Sequence, residues 1–204
     1  MLPRTSAPRA RPPHRPALTR SRAALCRPAA PGEGTPVSAD LRRWLAAPGS
    51  LTARLRLHGE VTVEVLAQGR LPLWHQERRA LGCQAAHVRE VLLRIDGRAA
   101  VWARSATPLS AVKGPWAPIR GLGKRPLAEL LFNDHRVQRE PLQTRHLHRG
   151  SPLQRRMRQA WAAHAPGTAL PRWARHSVFR HRGEPLQVLE AFAPWLAGLP
   201  CERR

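Results

Sequence analysis

Alternating apolar and polar residues mark a β-hairpin in the first half of this chain. Residues 87–95 and 99–106 are two apolar, alternating runs, and Asp96-Gly97 lies between them. Asp-Gly between two such runs is the strongest short-range signal for a hairpin. Upstream, residues 61–66 read VTVEVL, a valine-rich alternation that predicts a further strand.

A second hairpin is predicted near the C-terminus. Residues 173–181 and 186–192 alternate in the same way, and Arg182-Gly183-Glu184 is the predicted turn between them. Another strand is predicted from about residue 137 to residue 147. The C-terminal third of the chain is therefore also expected to be largely sheet.

Short helices are predicted between these strands, because capping residues precede apolar residues at helical spacing. Ser38 and Ser50 open two of them, and Pro126 starts a third. The longest begins at Ser151, and its apolar stripe at every fourth position is Leu153, Met157 and Trp161. We expect this stripe to pack on the core rather than on a membrane. Strands outnumber helices and are joined by hairpins, which predicts an α+β domain with an antiparallel sheet.

The first 36 residues differ from all that follows. They contain seven Arg, eight Pro and one acidic residue, Glu33. We expect residues 1–36 to be a disordered Arg/Pro-rich tail and residues 37–200 to be the folded domain. The tail lacks the apolar segment of a secretory signal, and its prolines would break the amphipathic helix of a mitochondrial transit peptide.

The charge of the chain is strongly positive. Lys and Arg number 35 against 13 Asp and Glu, for a formal net charge of +22. Arg, Ala, Pro and Gly are all abundant, so part of this charge can reflect the mutational bias of a GC-rich genome. The remainder fits a nucleic acid, an anionic membrane surface or a small anionic substrate.

Three further features of the sequence bear on the partner and on the compartment of the protein. We find no helix-turn-helix, no zinc finger and no aromatic residues interleaved with basic ones, so no nucleic-acid partner is predicted. No apolar run is long enough to span a membrane. The three cysteines are far apart, which favours a reducing compartment, and a cytoplasmic protein is expected.

Two charged residues lie in apolar strands, where an uncompensated charge costs several kcal/mol. Glu190 lies within residues 185–194, and Arg89 shares its strand face with Val91 and Leu93. Each suggests a partner or a ligand. An ion pair between Arg89 and Glu190, an ion pair between Arg89 and Glu90, and a solvated Glu190 at a sheet edge all remain open.

Other candidate chemistry is weaker. His146 and His148 share a strand face, but no third ligand lies at a typical metal-site spacing, so no metal is predicted. Arg104 is a possible second contact for an anion, or one arginine among many. Nucleotide-binding, serine-hydrolase and zinc-protease motifs are absent from the sequence, and no cofactor is predicted.

Three blocks of sequence together resemble one enzyme family. They are VREVLLRIDG at residues 88–97, LGKRPLAELLF at 122–132 and WARHSVFRHRGEPLQVLEAFAP at 173–194. In this order and spacing they resemble the chorismate pyruvate-lyases, bacterial enzymes that need no cofactor and make 4-hydroxybenzoate for ubiquinone. The resemblance extends back through LRRWLAAPGSLTARL and covers about residues 38–196.

The resemblance implies a single domain with an antiparallel sheet of about six strands, a usual sheet size, and helical flaps over a buried ligand site. It implies that Arg89 binds the ring carboxylate of the ligand and that Glu190 meets the ring hydroxyl. Leu51 and Leu127 are implied as flap contacts, chiefly through their backbone. The expected partners are chorismate and 4-hydroxybenzoate, and a monomer is expected. The chain departs from the family pattern in its N-terminal tail and around residues 148–170.

The implied chemistry leaves several points open. Glu190 can hydrogen-bond the ring hydroxyl or transfer a proton, and a cyclic hydrogen transfer needs no protein acid. The second carboxylate of chorismate needs a cation, for which Arg104 and Lys124 are candidates. The alternative function is a sensing module for small aromatic acids, because effector domains of some bacterial transcription regulators resemble the same fold. Such regulators carry a winged helix, which a proline-rich segment of this length cannot form.

Overall fold

An antiparallel sheet of seven strands forms the centre of the computed structural model, which describes residues 37–201. The strands are Val61–Leu71 (β1), Ala86–Ile95 (β2), Arg98–Pro108 (β3), Val137–Arg139 (β4), Gln143–His146 (β5), Trp173–His181 (β6) and Glu184–Phe192 (β7). They follow the order β1-β2-β3-β7-β6-β4, and β5 also pairs with β6. Because β1 and β4 are the ends of this order, the sheet is open.

The predicted α+β class and antiparallel sheet are confirmed, with seven strands in place of about six. Both predicted hairpins form, as β2–β3 and β6–β7. Their turns have positive φ at both central residues, Asp96 and Gly97 in one and Arg182 and Gly183 in the other. This conformation matches the twist of the strands and fixes the register of each hairpin.

Two strand predictions differ from the structure for local reasons. The predicted strand at residues 137–147 is two short strands, because Glu140 and Pro141 interrupt it and proline has no N–H for the ladder. β1 extends to Leu71 rather than Leu66, with a register shift between Val65 and Ala67. The shift is a bulge that breaks the alternation, so the pattern ends before the strand does.

Five α-helices accompany the sheet in the part of the chain that the structure describes. Ser38, Ser50 and Ser151 each accept a hydrogen bond from the backbone N–H three residues ahead, as their positions predict. The helix after Trp74 was not predicted, because only Glu77 and Leu81 of its residues are buried. The helices are Ala39–Ala46 (α1), Leu51–Leu55 (α2), His75–Leu81 (α3), Ala128–Phe132 (α4) and Pro152–His164 (α5).

The two faces of the sheet pack against different helices. On one face, α1 and α2 contribute Trp44 and Leu55 to a cluster with Val91 and Leu93 of β2. On the opposite face, the stripe of α5 packs with Leu92 and Trp102, which confirms the core-packing interpretation of that stripe. We call these the front face and the back face. Within residues 37–201 no helix is long and apolar enough to cross a membrane.

The predicted disorder of residues 1–36 falls outside the described residues.

Candidate functional site

Arg89 and Glu190 lie on the front face of the sheet. Arg89 pairs with Ser105 on β3, and Ser105 pairs with Val188 on β7. Glu190 is two residues beyond Val188 and therefore faces the same side. Two strand spacings and two residues along a strand place the Cα atoms of Arg89 and Glu190 about 12 Å apart.

One cavity brings together all four site residues that the resemblance implies. Arg89 and Glu190 line it from the sheet, Leu51 from α2, and Leu127 from the segment before α4. It holds about 590 Å³ of space that no protein atom fills, part of it continuous with solvent. Most of its remaining wall is apolar, formed by Val63, Val91, Leu93, Ala103, Leu131, Phe132, Phe179 and Val188.

Arg89 is a buried cation without an acidic partner among residues 37–201. Its side chain is 2% exposed, and Nη2 donates to the carbonyl oxygens of Gly123 at 2.8 Å and Arg125 at 3.2 Å. Its Nε atom is buried and has no hydrogen-bond partner. Burial lowers the pKa of Arg89 to about 10, so the guanidinium is still charged at neutral pH. The site therefore has an uncompensated positive charge and an unused donor.

Glu190 is paired, and its partner is neither Arg89 nor solvent alone. Its Oε2 atom accepts a hydrogen bond of 2.6 Å from Nε of Arg175, and its side chain is 16% exposed. Arg175 is 1% exposed and also donates to the carbonyl oxygens of Trp44 at 3.2 Å and Ala47 at 2.7 Å. Within the described chain, no protein donor bonds Oε1 of Glu190. That oxygen is thus available at the cavity.

The role of Arg175 was missed in the sequence, although a signal for it was present. A two-residue turn at Arg182-Gly183 pairs Arg175 of β6 with Glu190 of β7, and the structure has this register. Cross-strand neighbours of opposite charge interact directly. The predicted three-residue turn is wrong, because Glu184 is the first residue of β7 and pairs with His181. Counting back from the two-residue turn identifies Arg175 as the partner of Glu190.

Glu90 and Arg104 belong to a separate network on the back face. Glu90 is fully buried, and its two oxygens accept from Arg104 and from Arg156 of α5, each at 2.6 Å. Arg104 also donates from Nε to Glu77 at 2.6 Å and from Nη2 to the Pro72 carbonyl at 2.6 Å. The alternative of an Arg89–Glu90 ion pair is therefore wrong, because adjacent residues of a strand face opposite sides.

The same network engages Arg104, one of the two candidates for the second carboxylate of a ligand. Arg104 contributes to the cavity wall, but its guanidinium is engaged by Glu77 and Glu90 behind the sheet. The other candidate, Lys124, is exposed and lies between Gly123 and Arg125, whose carbonyls bind Arg89. Lys124 is thus near the Arg89 end of the cavity.

Leu51 and Leu127 lie at the N-terminal ends of short helices. Leu51 is the first residue of α2, and Leu127 immediately precedes α4. Backbone N–H groups in a first helical turn have no partner within the helix. Both residues therefore bring main-chain donors as well as apolar side chains to the cavity wall.

His146 and His148 are edge-to-face neighbours, with ring centroids 4.9 Å apart, and His146 also contacts Trp173. Burial, followed by the charges of His148 and Arg172, lowers the pKa of His146. No group of three or more His, Cys, Asp or Glu side chains suited to a metal ion occurs in residues 37–201.

Comparison with solved structures finds a protein of the same fold. The crystal structure of PhnF from Mycobacterium smegmatis matches with a TM-score of 0.50 at 14% identity, over 72% of this chain and 65% of that chain. At this identity the match shows a shared fold and no more.

Comparison with curated proteins finds much closer relatives. A probable chorismate pyruvate-lyase from Albidiferax ferrireducens is 46% identical over 165 residues, which are 76% of this chain and 83% of that protein. A probable chorismate pyruvate-lyase from Aromatoleum aromaticum is 45% identical over 170 residues, 80% of this chain and 90% of that protein. A family model described as chorismate lyase matches residues 31–196. The chain belongs to the chorismate lyase family.

Proposed function

We propose that this protein is a chorismate pyruvate-lyase that converts chorismate to 4-hydroxybenzoate and pyruvate as a step towards ubiquinone. One observation carries the assignment to this site. A buried arginine without an acid partner and a glutamate with an unused oxygen lie at opposite ends of one apolar cavity. An aromatic acid with a hydroxyl group opposite its carboxylate has the complementary chemistry.

In the proposed complex, Arg89 binds the ring carboxylate. Its Nε atom and Nη1 make no hydrogen bond to residues 37–201, so they are available as donors. A planar guanidinium suits a carboxylate, and the charge-assisted bonds are strong in an apolar setting. The carboxylate would offset the desolvation of Arg89.

Glu190 binds the ring hydroxyl in this proposal. Arg175 bonds Oε2, which fixes the side chain and leaves Oε1 to accept a hydrogen bond from the substrate. The ring is held at both ends, and α2 and α4 are proposed to close over it. Binding at both ends holds the substrate in a reactive conformer and excludes water from it. Such positioning contributes several kcal/mol to rate acceleration.

The reaction balances without any external reactant. The ether bond between the ring and the enolpyruvyl oxygen breaks, the ring loses one hydrogen and becomes aromatic, and the oxygen becomes the ketone of pyruvate. The methylene carbon of the enolpyruvyl group gains the hydrogen. Glu190 either assists this transfer as an acid or base or only positions the ring for a cyclic transfer, and both routes use the same contacts.

The direct test is the assay of purified protein with chorismate, following pyruvate release and the absorbance of 4-hydroxybenzoate. We expect turnover by the wild type and a loss of at least about 100-fold in kcat/KM for Arg89→Ala, because a charged hydrogen-bonding partner is removed. Arg70→Ala is the matched control, since Arg70 is an exposed residue of β1 outside the cavity. A wild type that releases no pyruvate would refute the proposed function.

Glu190→Gln separates the two roles of Glu190. The amide keeps a hydrogen bond to the hydroxyl but does not accept a proton, so pure positioning predicts a loss of kcat of less than about tenfold, and proton transfer predicts about 100-fold or more. If Arg89→Ala and Glu190→Gln both retain full activity, the site is wrong while the function stands. Binding of 4-hydroxybenzoate without pyruvate release would instead favour the sensing alternative.

We also propose that the protein acts in the cytoplasm as a monomer without a nucleic-acid partner, with residues 37–200 as its folded domain.

A further inference from the structure

Chorismate has a second carboxylate, on its enolpyruvyl group, for which no partner has been assigned. The following inference rests on the proposed function. The ether oxygen that carries this group is attached to the ring carbon next to the hydroxyl-bearing carbon. If Glu190 binds the hydroxyl, the second carboxylate lies beside Glu190, about a ring's length away from Arg89. A cation near Glu190 is required, because an unpaired buried carboxylate is costly.

Three cations are excluded as partners of the second carboxylate, either because they lie elsewhere or because other groups already bind them. Arg104 is engaged by Glu77 and Glu90 on the back face. Lys124 lies at the other end of the cavity, beside the two carbonyls that bind Arg89. Arg175 is at the correct end, but its bonds to Glu190 and to two carbonyl oxygens commit it to holding Glu190 and the loop before α2.

Arg139 of β4 is a further candidate, and it lies beside the cavity in contact with residues of its wall. It pairs with Phe179 of β6 and so lies on the front face, where its guanidinium carbon is 5.1 Å from the centre of the Phe179 ring. Its Nε atom donates to Ser177 Oγ at 3.2 Å, and Nη1 makes a long contact of 3.5 Å with the carbonyl oxygen of Gly49. Phe179 and Gly49 both line the cavity. The guanidinium is therefore held between two residues of the cavity wall.

Arg139 contacts Gly49, which is two residues after Ala47. The carbonyl oxygen of Ala47 binds Arg175, the partner of Glu190, so the Arg139 guanidinium lies towards the Glu190 end of the cavity. Burial, followed by the neighbouring charge of Arg175, lowers the pKa of Arg139, and the charge of Glu190 acts against this shift. Arg139 is half-buried and, among residues 37–201, has no carboxylate within ion-pair distance. No hydrogen bond from its Nη2 group to that part of the chain is observed. It thus combines an uncompensated charge with unused donors.

We propose that Arg139 binds the enolpyruvyl carboxylate of chorismate and selects a substrate with two carboxylates. Phe179 supports the guanidinium from below, and Ser177 and Gly49 orient it. Fixing this carboxylate also fixes the rotation of the enolpyruvyl group about its ether bond, which determines whether its methylene carbon faces the ring. The product 4-hydroxybenzoate lacks this carboxylate, so Arg139 distinguishes substrate from product.

The experiment compares chorismate with 4-hydroxybenzoate in Arg139→Gln. We expect kcat/KM for chorismate to fall by about tenfold or more, because a charge-assisted bond is lost. The Kd of 4-hydroxybenzoate is expected to stay within about twofold of the wild-type value, and Arg139→Lys should recover part of the kcat/KM. Arg136→Gln is the matched control, since it removes one charge from the neighbouring turn, where Arg136 contacts only Asp134 among the described residues.

The contrary outcomes are distinct. If Arg139→Gln raises the Kd of 4-hydroxybenzoate by as large a factor as it lowers kcat/KM for chorismate, Arg139 supports the cavity wall and does not recognise the second carboxylate. If the selective loss occurs in Lys124→Gln and not in Arg139→Gln, Lys124 is the partner and the inference is wrong. If the wild type is active and Arg139→Gln has the same kcat/KM for chorismate, this inference alone is overturned. If the wild type releases no pyruvate, the proposed function is overturned as well.

Discussion

Arg89 and Arg175 are both buried arginines of the front face, but only the charge of Arg175 is compensated by an acid among the described residues of the protein. Arg175 has an acid partner and two carbonyl acceptors, so its charge is compensated. Arg89 has only two carbonyl acceptors and an unpartnered Nε. A cation retained in an apolar wall without an acid is typical of a site that receives an anion from solution.

This difference predicts that Arg89→Met does not destabilise the protein in the absence of ligand. We expect a free energy of unfolding within about 1 kcal/mol of the wild-type value or above it, because an uncompensated buried charge is replaced by an apolar side chain. Urea denaturation measures this directly. Saturating 4-hydroxybenzoate should raise the unfolding midpoint of the wild type and leave that of Arg89→Met unchanged.

Two results would contradict this assignment. A loss of several kcal/mol without ligand would mean that Arg89 mainly anchors the loop carrying Gly123 and Arg125. An equal ligand-induced shift in wild type and variant would mean that the aromatic acid binds elsewhere. The matched control is again Arg70→Met, an exposed substitution on the neighbouring strand.

At the scale of elements, local signals decided which parts of the fold were predictable. The two hairpins and the serine-capped helices follow from turn and cap chemistry, which acts within a few residues. β1 was predicted five residues short because a bulge reverses its alternation, and α3 was missed because it has no apolar stripe. These features depend on contacts across the sheet that no local pattern contains.

The candidate site was predictable to a similar extent. Burial arguments identified Arg89 and Glu190, and the resemblance added Leu51 and Leu127, all of which line one cavity. The partners of the charged residues were not predicted. The Glu90 network joins β2, β3, α3 and α5. Arg139 lies beside the cavity because β4, the last strand in the sheet order, pairs with β6. Such pairings require the tertiary structure.

Helix α5 packs on the back face of the sheet. Its Met157 is fully buried against the sheet. We expect Met157→Ala to lower the free energy of unfolding by about 2–5 kcal/mol through lost burial and a residual cavity. The affinity for 4-hydroxybenzoate at a temperature where the variant is folded should stay within about twofold, because the cavity that we propose as the ligand site is on the front face.

Thermal or urea unfolding and a binding titration check both parts. Arg158→Ala, an exposed change on the same helix, serves as the control and should leave stability within about 0.5 kcal/mol. If Met157→Ala leaves stability unchanged but weakens the ligand more than tenfold, α5 contributes to the site through the sheet and not to the core alone.

For the whole molecule, the domain boundary proposed from composition predicts that residues 1–36 are dispensable. A protein beginning at Val37 should keep kcat/KM for chorismate and the Kd of 4-hydroxybenzoate within about twofold, because residues 37–201 already form the sheet, the flanking helices and the cavity wall described above. It loses seven Arg and one acidic residue. Any difference that remains should therefore diminish as salt is raised, since screening weakens long-range attraction of an anionic substrate. A loss of activity that salt does not reduce would place part of the functional domain upstream of Val37.

The neighbouring charges of β2 also act as a safeguard against misfolding. Arg89 faces the cavity and Glu90 faces Arg104 and Arg156 behind the sheet. A slip of β2 by a single residue would exchange the two sides. It would bring the guanidinium groups of Arg89, Arg104 and Arg156 together at the back without Glu90 between them. It would also place the Glu90 carboxylate in the cavity, where we propose that the ligand carboxylate binds. The same alternation that makes Arg89 available to a ligand thus penalises the wrong alignment of the hairpin, so the requirement for binding and the requirement for correct strand pairing are met by one pair of residues.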